Sequence, residues 1–226
     1  MDDWLTRFDF DCARVPGVSV TDEVDIGGYD SSKRINRFGY DMSPQEIGCF
    51  LAHKKCWEEC VATGRIMLIL ESDAVLASDI DLPLILKRIF SSRECFDIAR
   101  LQGTFESNEI YYRKICDLGQ GHSLCQCIGD PMGAVAYVVT PEAADGLLRA
   151  SESFFQPVDV FLGSTWLHRQ RYRTVKPYVF DFADCPSTIG CRRRPKQSVF
   201  QRLKIESNRF LDDVRRIFYM PFNFFR

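Results

Sequence analysis

The sequence predicts an α/β protein whose central sheet is mixed but mainly parallel, with helices on both faces. Three observations carry this prediction. Residues 66–70 are five apolar residues in a row, and further apolar segments alternate with helical ones along the chain. A run without polar alternation is typical of a strand covered on both faces, and alternating strands and helices indicate a layered sandwich. The 226 residues, 46% of them hydrophobic, are enough for one ample core.

The clearest helix start lies at residues 43–46. Ser43 can accept a hydrogen bond from the third amide of the helix, and Pro44 suits the first helical position. Glu46 then completes a capping box by reaching back to the cap. Apolar residues continue at helical spacing until Gly64, which we expect to end the helix.

The other elements follow from the same patterns of apolar residues and turn residues. Residues 1–42 are polar and rich in turn residues, and 27–32 are predicted as loop. Strands are predicted at 66–70, 96–101, 134–139 and 174–180, and further helices from 140 and over 158–167. We expect one domain over residues 1–191 and a basic, amphipathic helical tail over 192–226.

The net charge of −2 conceals an asymmetry between these two parts. Residues 192–226 contain ten Lys or Arg and three acidic residues, a charge of +7, which leaves −9 on the remainder. This separation of charge gives information about binding partners rather than about the fold. The tail could bind anionic lipid headgroups, or it could pack its basic face on the acidic body. Nucleic acid is not an expected partner, because the tail lacks a recognition motif and the body is acidic.

Ten cysteines do not by themselves indicate disulfides or zinc. The closest pairs are Cys125 with Cys127 and Cys56 with Cys60, and no CxxC occurs, whereas zinc sites need two such pairs. Reduced and mostly buried cysteines are expected. The N-terminus does not resemble a signal peptide, and no apolar run is long enough for a membrane span. These features predict a cytoplasmic protein, located at the inner face of the plasma membrane if the tail binds lipid.

Chemistry is predicted where residues 71–73, Glu-Ser-Asp, directly follow the first apolar strand. Ligands of open α/β sheets bind outside the carboxyl ends of the strands. Glu71 and Asp73 would repel one another there unless a cation lay between them. A hard divalent cation would reduce this repulsion and would also bind phosphate oxygens. The motif is therefore suited to binding a nucleoside diphosphate through a metal ion. The alternative is a solvated acidic loop or a helix cap.

Five segments form a pattern that no single motif provides. They are residues 42–53 (MSPQEIGCFLAH), 68–74 (LILESDA), 133–140 (GAVAYVVT), 157–159 (PVD) and 186–189 (PSTI). In this order they resemble glycosyltransferase family 25, which includes lipooligosaccharide galactosyltransferases and collagen galactosyltransferases. Trp57 also sits where that family has a helix tryptophan. The segments cover most of residues 40–190, and their combination is specific.

The resemblance implies a GT-A fold, which is a nucleotide-binding α/β sandwich, and a UDP-hexose donor, with galactose expected. It implies Mn²⁺ or Mg²⁺ bound by Glu71 and Asp73, and inverting hexosyl transfer to a bacterial lipooligosaccharide or lipopolysaccharide acceptor. Inversion needs one base to deprotonate the acceptor hydroxyl. Asp159 is the first candidate, with metal or acceptor contact and helix capping as alternatives. Asp130, within a turn, is the second candidate.

The resemblance also places further donor-binding residues. Glu46, His53, Gly133 and Tyr137 match family positions, in addition to the two acids. The capping box already accounts for Glu46, and a buried, hydrogen-bonded core histidine is an alternative for His53. His168 could complete the coordination of the metal or lie on the exposed surface.

Two departures from the family pattern keep a second function open. Ser72 stands where the family has the middle acid of its motif, so metal binding would rest on the acids on either side. We also expect the strand with which family members open to be missing here. The alternative function is therefore a degenerate, non-catalytic relative that binds a nucleotide or a glycan.

Overall fold

The computed structural model describes residues 10–20, 26–103, 111–128, 132–183 and 198–224. Seven α-helices and eight strands lie within these ranges, together with a short 3₁₀ turn. The helices are α1 (Ser31–Phe38), α2 (Pro44–Thr63), α3 (Leu82–Ser91), α4 (Pro141–Ala150), α5 (Val158–Gly163), α6 (Thr165–His168) and α7 (Val199–Phe224). The strands are β1 (Met67–Leu70), β2 (Ala74–Leu76), β3 (Ile98–Arg100), β4 (Tyr111–Gly119), β5 (His122–Ile128), β6 (Ala136–Val139), β7 (Tyr172–Lys176) and β8 (Phe180–Phe182).

Six strands form the central sheet, in the order β1-β6-β3-β7-β5-β4, and β2 pairs separately with β8. Of the five pairings in the larger sheet, β3 with β7 is parallel and the other four are antiparallel. The prediction of a mixed α/β fold is confirmed, but the prediction of a mainly parallel sheet is wrong. The strands β1, β3 and β7 do share one direction. However, β6 lies between β1 and β3 and runs opposite to both, so the first two never pair with each other.

The uninterrupted apolar run around β1 serves two separate cores. Ile66, Leu68 and Leu70 pack against the core that includes α3, whereas Met67 and Ile69 pack against the core that includes α2. Successive side chains of a strand point to opposite faces, so a strand between two apolar layers has no polar face. The covered strand that the run predicts is therefore present, although β1 is an edge strand of the sheet.

Helix α2 begins and ends as its local sequence predicts. Ser43 Oγ accepts a hydrogen bond from the backbone amide of Glu46 at 3.2 Å, and the Glu46 carboxylate accepts one from the amide of Ser43 at 2.9 Å. Gly64 ends the helix with φ of 64°, in the left-handed region that favours glycine. The helix lies in the layer that also contains α4 and α5.

The N-terminal region contains a helix that its composition did not reveal. Asp30 caps α1 through the amide of Lys33, and Gly39 ends the helix with φ of 79°. The prediction of a loop over residues 27–32 is therefore wrong for its last two residues, which begin α1. A polar, turn-rich composition hides this helix because it packs beside α7 rather than in the core.

The helix predicted for the tail is present as α7, which has 26 residues and packs against α1 and α6. Among the described residues, no helix combines the length and the apolar composition that crossing a bilayer requires. The predicted boundary at residue 192 lies outside the described residues.

Candidate functional site

The acidic segment 71–73 lies in a turn that is fixed on both sides. The amide of Glu71 donates to the carbonyl of Val135 at 2.8 Å, which ties the end of β1 to the residue before β6. The amide of Ala74 donates to the carbonyl of Glu71 at 3.1 Å and closes the turn. On the far side, the amide of Ala183 donates to the carbonyl of Asp73 at 2.8 Å. Both acids are thus positioned by hydrogen bonds of their own backbone groups.

A chain of hydrogen bonds runs from the core to the Glu71 carboxylate. Trp57 Nε1 donates to the hydroxyl of Tyr137 at 2.9 Å, and this hydroxyl lies 2.7 Å from His53 Nδ1. His53 Nε2 lies 3.1 Å from Glu71 Oε1. The three inner side chains are buried, whereas Glu71 is partly exposed. The chain therefore links the hydrophobic core to a carboxylate that solvent can reach.

The direction of these hydrogen bonds follows from the chemistry of the groups. Trp57 can only donate, so the oxygen of Tyr137 accepts from it. The hydroxyl proton of Tyr137 is then free for Nδ1 of a neutral His53. This assignment leaves the proton of His53 on Nε2, where it donates to Glu71. A neutral imidazole can therefore orient the carboxylate through buried groups that all have partners.

The environment pushes the two acids of the motif in opposite directions. Burial raises the pKa of Glu71, but the interactions of its carboxylate with His53 and the hydrogen bond from Cys49 outweigh burial, so the pKa lies below its usual value. Burial and the negative charge of Glu71 raise the pKa of Asp73. Glu71 is thus favoured in its ionised form, and its negative charge disfavours ionisation of Asp73. A cation beside both carboxylates would relieve this repulsion, which fits a metal that prefers oxygen ligands.

Cys49 lies against the same carboxylate, with its thiol 3.5 Å from Glu71 Oε1. Burial, followed by the charges of Glu71, Asp159 and Asp73, raises the pKa of this thiol, so it stays protonated and is a poor nucleophile. Among the described residues, the donor atoms of Cys49, His53 and Glu71 form a group in which all lie within 4.8 Å of one another. The hydrogen bonds within this group account for its closeness, and Asp73 is not part of it.

Asp159 lies in the first turn of α5 and is half-buried. Its carboxylate accepts a hydrogen bond from the amide of Val160 at 2.8 Å, which is the contact that the capping alternative predicts. Its charge also contributes to the raised pKa of the Cys49 thiol, which contacts Glu71. This geometry is compatible with both a capping and a catalytic role, and the role as base stays a prediction.

The other predicted donor residues have different surroundings. Tyr137 and His53 are members of the buried chain. Glu46 is 3% exposed and serves the helix cap, so its predicted donor contact is not tested. Gly133 is buried and has φ of 97°, a backbone conformation that favours glycine, two residues before the carbonyl of Val135 that holds Glu71.

His168 has neither of the predicted environments. It is 4% exposed, its Nε2 lies 3.0 Å from the carbonyl of Leu162, and its Nδ1 accepts from the amide of Gln170 at 3.1 Å. Both ring nitrogens are thus engaged with backbone groups, which leaves neither for a metal. Burial lowers the pKa of His168 to about 4. The two predictions for His168, an exposed surface residue and a metal ligand, are therefore wrong. Packing of α6 places this side chain in the core.

Sequence reasoning did not assign Cys49 and Trp57 to the site. One signal was available, since residues 49, 53 and 57 are four apart and therefore lie along one face of a helix. Asp130 and the segment 186–189 lie outside the described residues.

The fold and the site together define a mixed α/β protein with a carboxylate turn at the end of an edge strand, supported by a buried hydrogen-bond chain. The family model for glycosyltransferase family 25 (LPS biosynthesis protein) matches residues 22–162, well over half of the chain. The chain therefore belongs to glycosyltransferase family 25, and the resemblance of its motifs is confirmed. No curated protein matches the chain. The matched region includes Glu71, Asp73 and Asp159 and ends before α7.

Proposed function

We propose that this member of the family is a metal-dependent, inverting hexosyltransferase. Its donor is a UDP-hexose, with UDP-galactose the first choice, and its acceptor is a bacterial lipooligosaccharide or lipopolysaccharide glycan. A GT-A arrangement of the α/β layers is part of this proposal. The observation that carries it is the Glu71 carboxylate, held ionised at the end of β1 by a buried hydrogen-bond chain and adjacent to Asp73.

Mn²⁺ or Mg²⁺ is the proposed cofactor, with Glu71 and Asp73 as its protein ligands. Both side chains offer hard oxygen atoms, which these ions prefer over the protonated thiol of Cys49. When bound, the ion would neutralise charge that develops on the departing diphosphate. His53 has a positioning role, because its Nε2 proton fixes the carboxylate of Glu71, and Tyr137 fixes the ring of His53 in turn.

Asp159 is the proposed base. In the reaction, the acceptor oxygen forms a bond to the anomeric carbon while the bond from that carbon to the phosphate oxygen breaks. UDP leaves with the electron pair of the broken bond, and the proton of the acceptor hydroxyl passes to Asp159. This assignment is supported by the partial exposure of Asp159 and by its charge, which acts on the same thiol as that of Glu71.

Calorimetric titration of UDP, with and without Mn²⁺, tests the donor site. We expect Mn²⁺-dependent binding by the natural chain and at least about a tenfold loss of affinity in Asp73→Asn, because one of two carboxylate ligands is removed. Glu58→Gln is a matched control, since Glu58 is an exposed acid of α2 away from the turn. It should bind UDP like the natural chain.

The same titration separates the two candidate functions. Metal-dependent UDP binding, followed by release of UDP from UDP-hexoses in the presence of acceptor glycan, supports the transferase. Ser72, in place of the middle acid, favours the non-catalytic alternative. Binding of UDP without any turnover would support that alternative. A folded protein that binds no UDP with Mn²⁺ would contradict the transferase and, of the alternative, would leave only the binding of a glycan.

A further inference from the structure

The apolar surface of α7 is exposed to a degree found in no other described part of the chain. Its five most exposed large apolar side chains show 61–85% of their surface to solvent, while no large apolar side chain described elsewhere exceeds 48%. We call these five residues the outer stripe: Val199, Phe200, Leu203, Phe210 and Phe218. Large apolar side chains exposed together on one helix mark an interaction site in soluble proteins.

The outer stripe faces away from the protein body. With 3.6 residues per turn, its members fall within an arc of roughly 100° around the helix. Ile205, Asp212 and Arg216 lie on the opposite side of the helix by the same geometry. These residues contact the body: Ile205 is buried, Asp212 pairs with Arg37, and Arg216 stacks over the ring of Trp166. Lys204, at the edge of this face, donates to Asn36 Oδ1 at 3.3 Å.

This orientation is the reverse of the usual one. A surface helix of a globular domain normally turns its apolar stripe towards the core and its polar residues towards water. In α7, a largely polar face contacts the body, and the apolar face is left outside. Within the described parts of the chain, the outer stripe is therefore not part of a core, and an external apolar partner would account for it.

The charges beside the outer stripe indicate which partner fits. Lys204 and Arg215, both exposed, lie along one border of the stripe and make it basic. Along the other border, the exposed Arg202 and Arg209 lie beside the exposed acids Glu206 and Asp213, so the charges there balance. Long basic side chains at the borders of an apolar stripe can extend to lipid phosphates while the stripe enters the acyl region. Residues 192–226 carry +7 in all, which adds attraction to an anionic surface.

We propose that α7 binds the surface of an anionic lipid bilayer, lying parallel to it with the outer stripe inserted below the headgroups. The body then sits on the aqueous side of the helix, because its contacts are on the opposite face. This inference does not depend on the transferase proposal. It extends the sequence-based expectation for the tail, since it specifies the face of α7 that meets the lipid.

Co-sedimentation with extruded vesicles tests the proposal. Vesicles of phosphatidylcholine mixed equally with phosphatidylglycerol are compared with vesicles of phosphatidylcholine alone. We expect the full chain to bind the anionic vesicles, and the double variant Phe200→Ser, Phe210→Ser to bind them at least about tenfold more weakly. The control Phe90→Ser, Phe182→Ser changes two partly exposed phenylalanines elsewhere and should bind like the natural chain.

Circular dichroism establishes that each variant is folded before its binding is compared. The proposal is overturned if the natural chain ignores anionic vesicles, if it binds neutral vesicles equally well, or if the outer-stripe variant binds unchanged. Sedimentation equilibrium provides a further check. A dimer that the outer-stripe variant abolishes, in a chain that does not bind vesicles, would mean that a second copy covers the stripe, and it would also overturn the proposal.

Discussion

The helices α2 and α7 are the two longest in the described chain, yet they are held in opposite ways. Seven of the 20 residues of α2 are buried, and they are spread along its whole length. In α7, which has 26 residues, Ile205 is the one buried residue among the side chains that the structure describes. The first helix is part of the core, and the second is attached to its surface.

The difference extends to polar groups. The polar atoms of His53 and Trp57 in α2 point inward, where Tyr137 and Glu71 satisfy them. A site built in this way is fixed before any ligand arrives, because moving it would break buried hydrogen bonds. The described contacts of α7 with the body include one ion pair, a hydrogen bond from Lys204, a ring contact and the side chain of Ile205, all at the periphery. Rigidity is therefore concentrated at the carboxylate turn, and an adaptable surface is left at the other end of the chain.

The largest effect should come from truncating one aromatic residue in each helix. Trp57→Ala should lower the free energy of unfolding by about 3–5 kcal/mol, because the side chain is fully buried and donates to Tyr137. Phe210→Ala should change it by less than about 0.5 kcal/mol, because its side chain is 67% exposed. Urea denaturation followed by fluorescence and circular dichroism measures both. Similar losses in the two variants would refute the comparison.

An intermediate effect is expected from acid, through the short helix α6 on which α7 rests. The pKa of His168 is about 4 in the folded protein and near 6.5 in the unfolded chain, so the unfolded state takes up a proton first. Stability is therefore full above about pH 6.5 and falls as the pH drops towards about 4, by up to about 3 kcal/mol. Urea denaturation across this pH range gives the dependence.

The variant His168→Gln isolates this contribution, since glutamine does not titrate. The difference in unfolding free energy between the natural chain and this variant should narrow as the pH falls through this range. A difference that stays constant with pH would mean that His168 is not the group responsible. Because Trp166 of the same helix contacts Arg216, protection of α7 amides from hydrogen exchange should weaken in parallel.

Local signals made α2 predictable in detail, whereas the sheet depends on distant contacts. The cap at Ser43 and the stop at Gly64 involve residues within one turn of the helix, so the sequence contains the whole argument. The direction of strand pairing depends on which strands become neighbours. The insertion of β6 between β1 and β3 brings together segments about 70 residues apart, and no local pattern specifies it.

The candidate site also combines features that the sequence predicts with features that depend on distant contacts. Resemblance predicted Glu71, His53 and Tyr137 as site residues, and the structure places these three in contact. The hydrogen bond from Trp57 to the site was not predicted, because it depends on strand register. Tyr137 pairs with Ile69, and this pairing brings the hydroxyl of Tyr137 under α2. His168 was misjudged for a related reason. Burial of a polar side chain at the end of a four-residue helix is set by packing, and its own sequence contains no signal of it.

The smallest effect should come from the ion pair that ties α7 to α1. Both oxygens of Asp212 lie 2.7 Å from Arg37 Nη2, and the two side chains are 17% and 20% exposed. A double-mutant cycle with Arg37→Ala and Asp212→Ala should give a coupling of about 1 kcal/mol, at the upper end of the range for exposed pairs, because water is partly excluded. The matched control is Arg209→Ala, whose pair with Glu206 lies on the exposed surface of α7.

Hydrogen exchange resolves where that coupling acts. Loss of the Arg37–Asp212 pair should raise exchange in α7 by about fivefold, the factor that corresponds to about 1 kcal/mol, and should leave the amides of α2 unchanged. The Arg209 control should alter neither helix. If exchange in α2 rose together with that in α7, the two helices would open as one unit. The buried chain at Glu71 would then not be independent of the surface helix, and a partner that binds α7 would also act on the carboxylate turn.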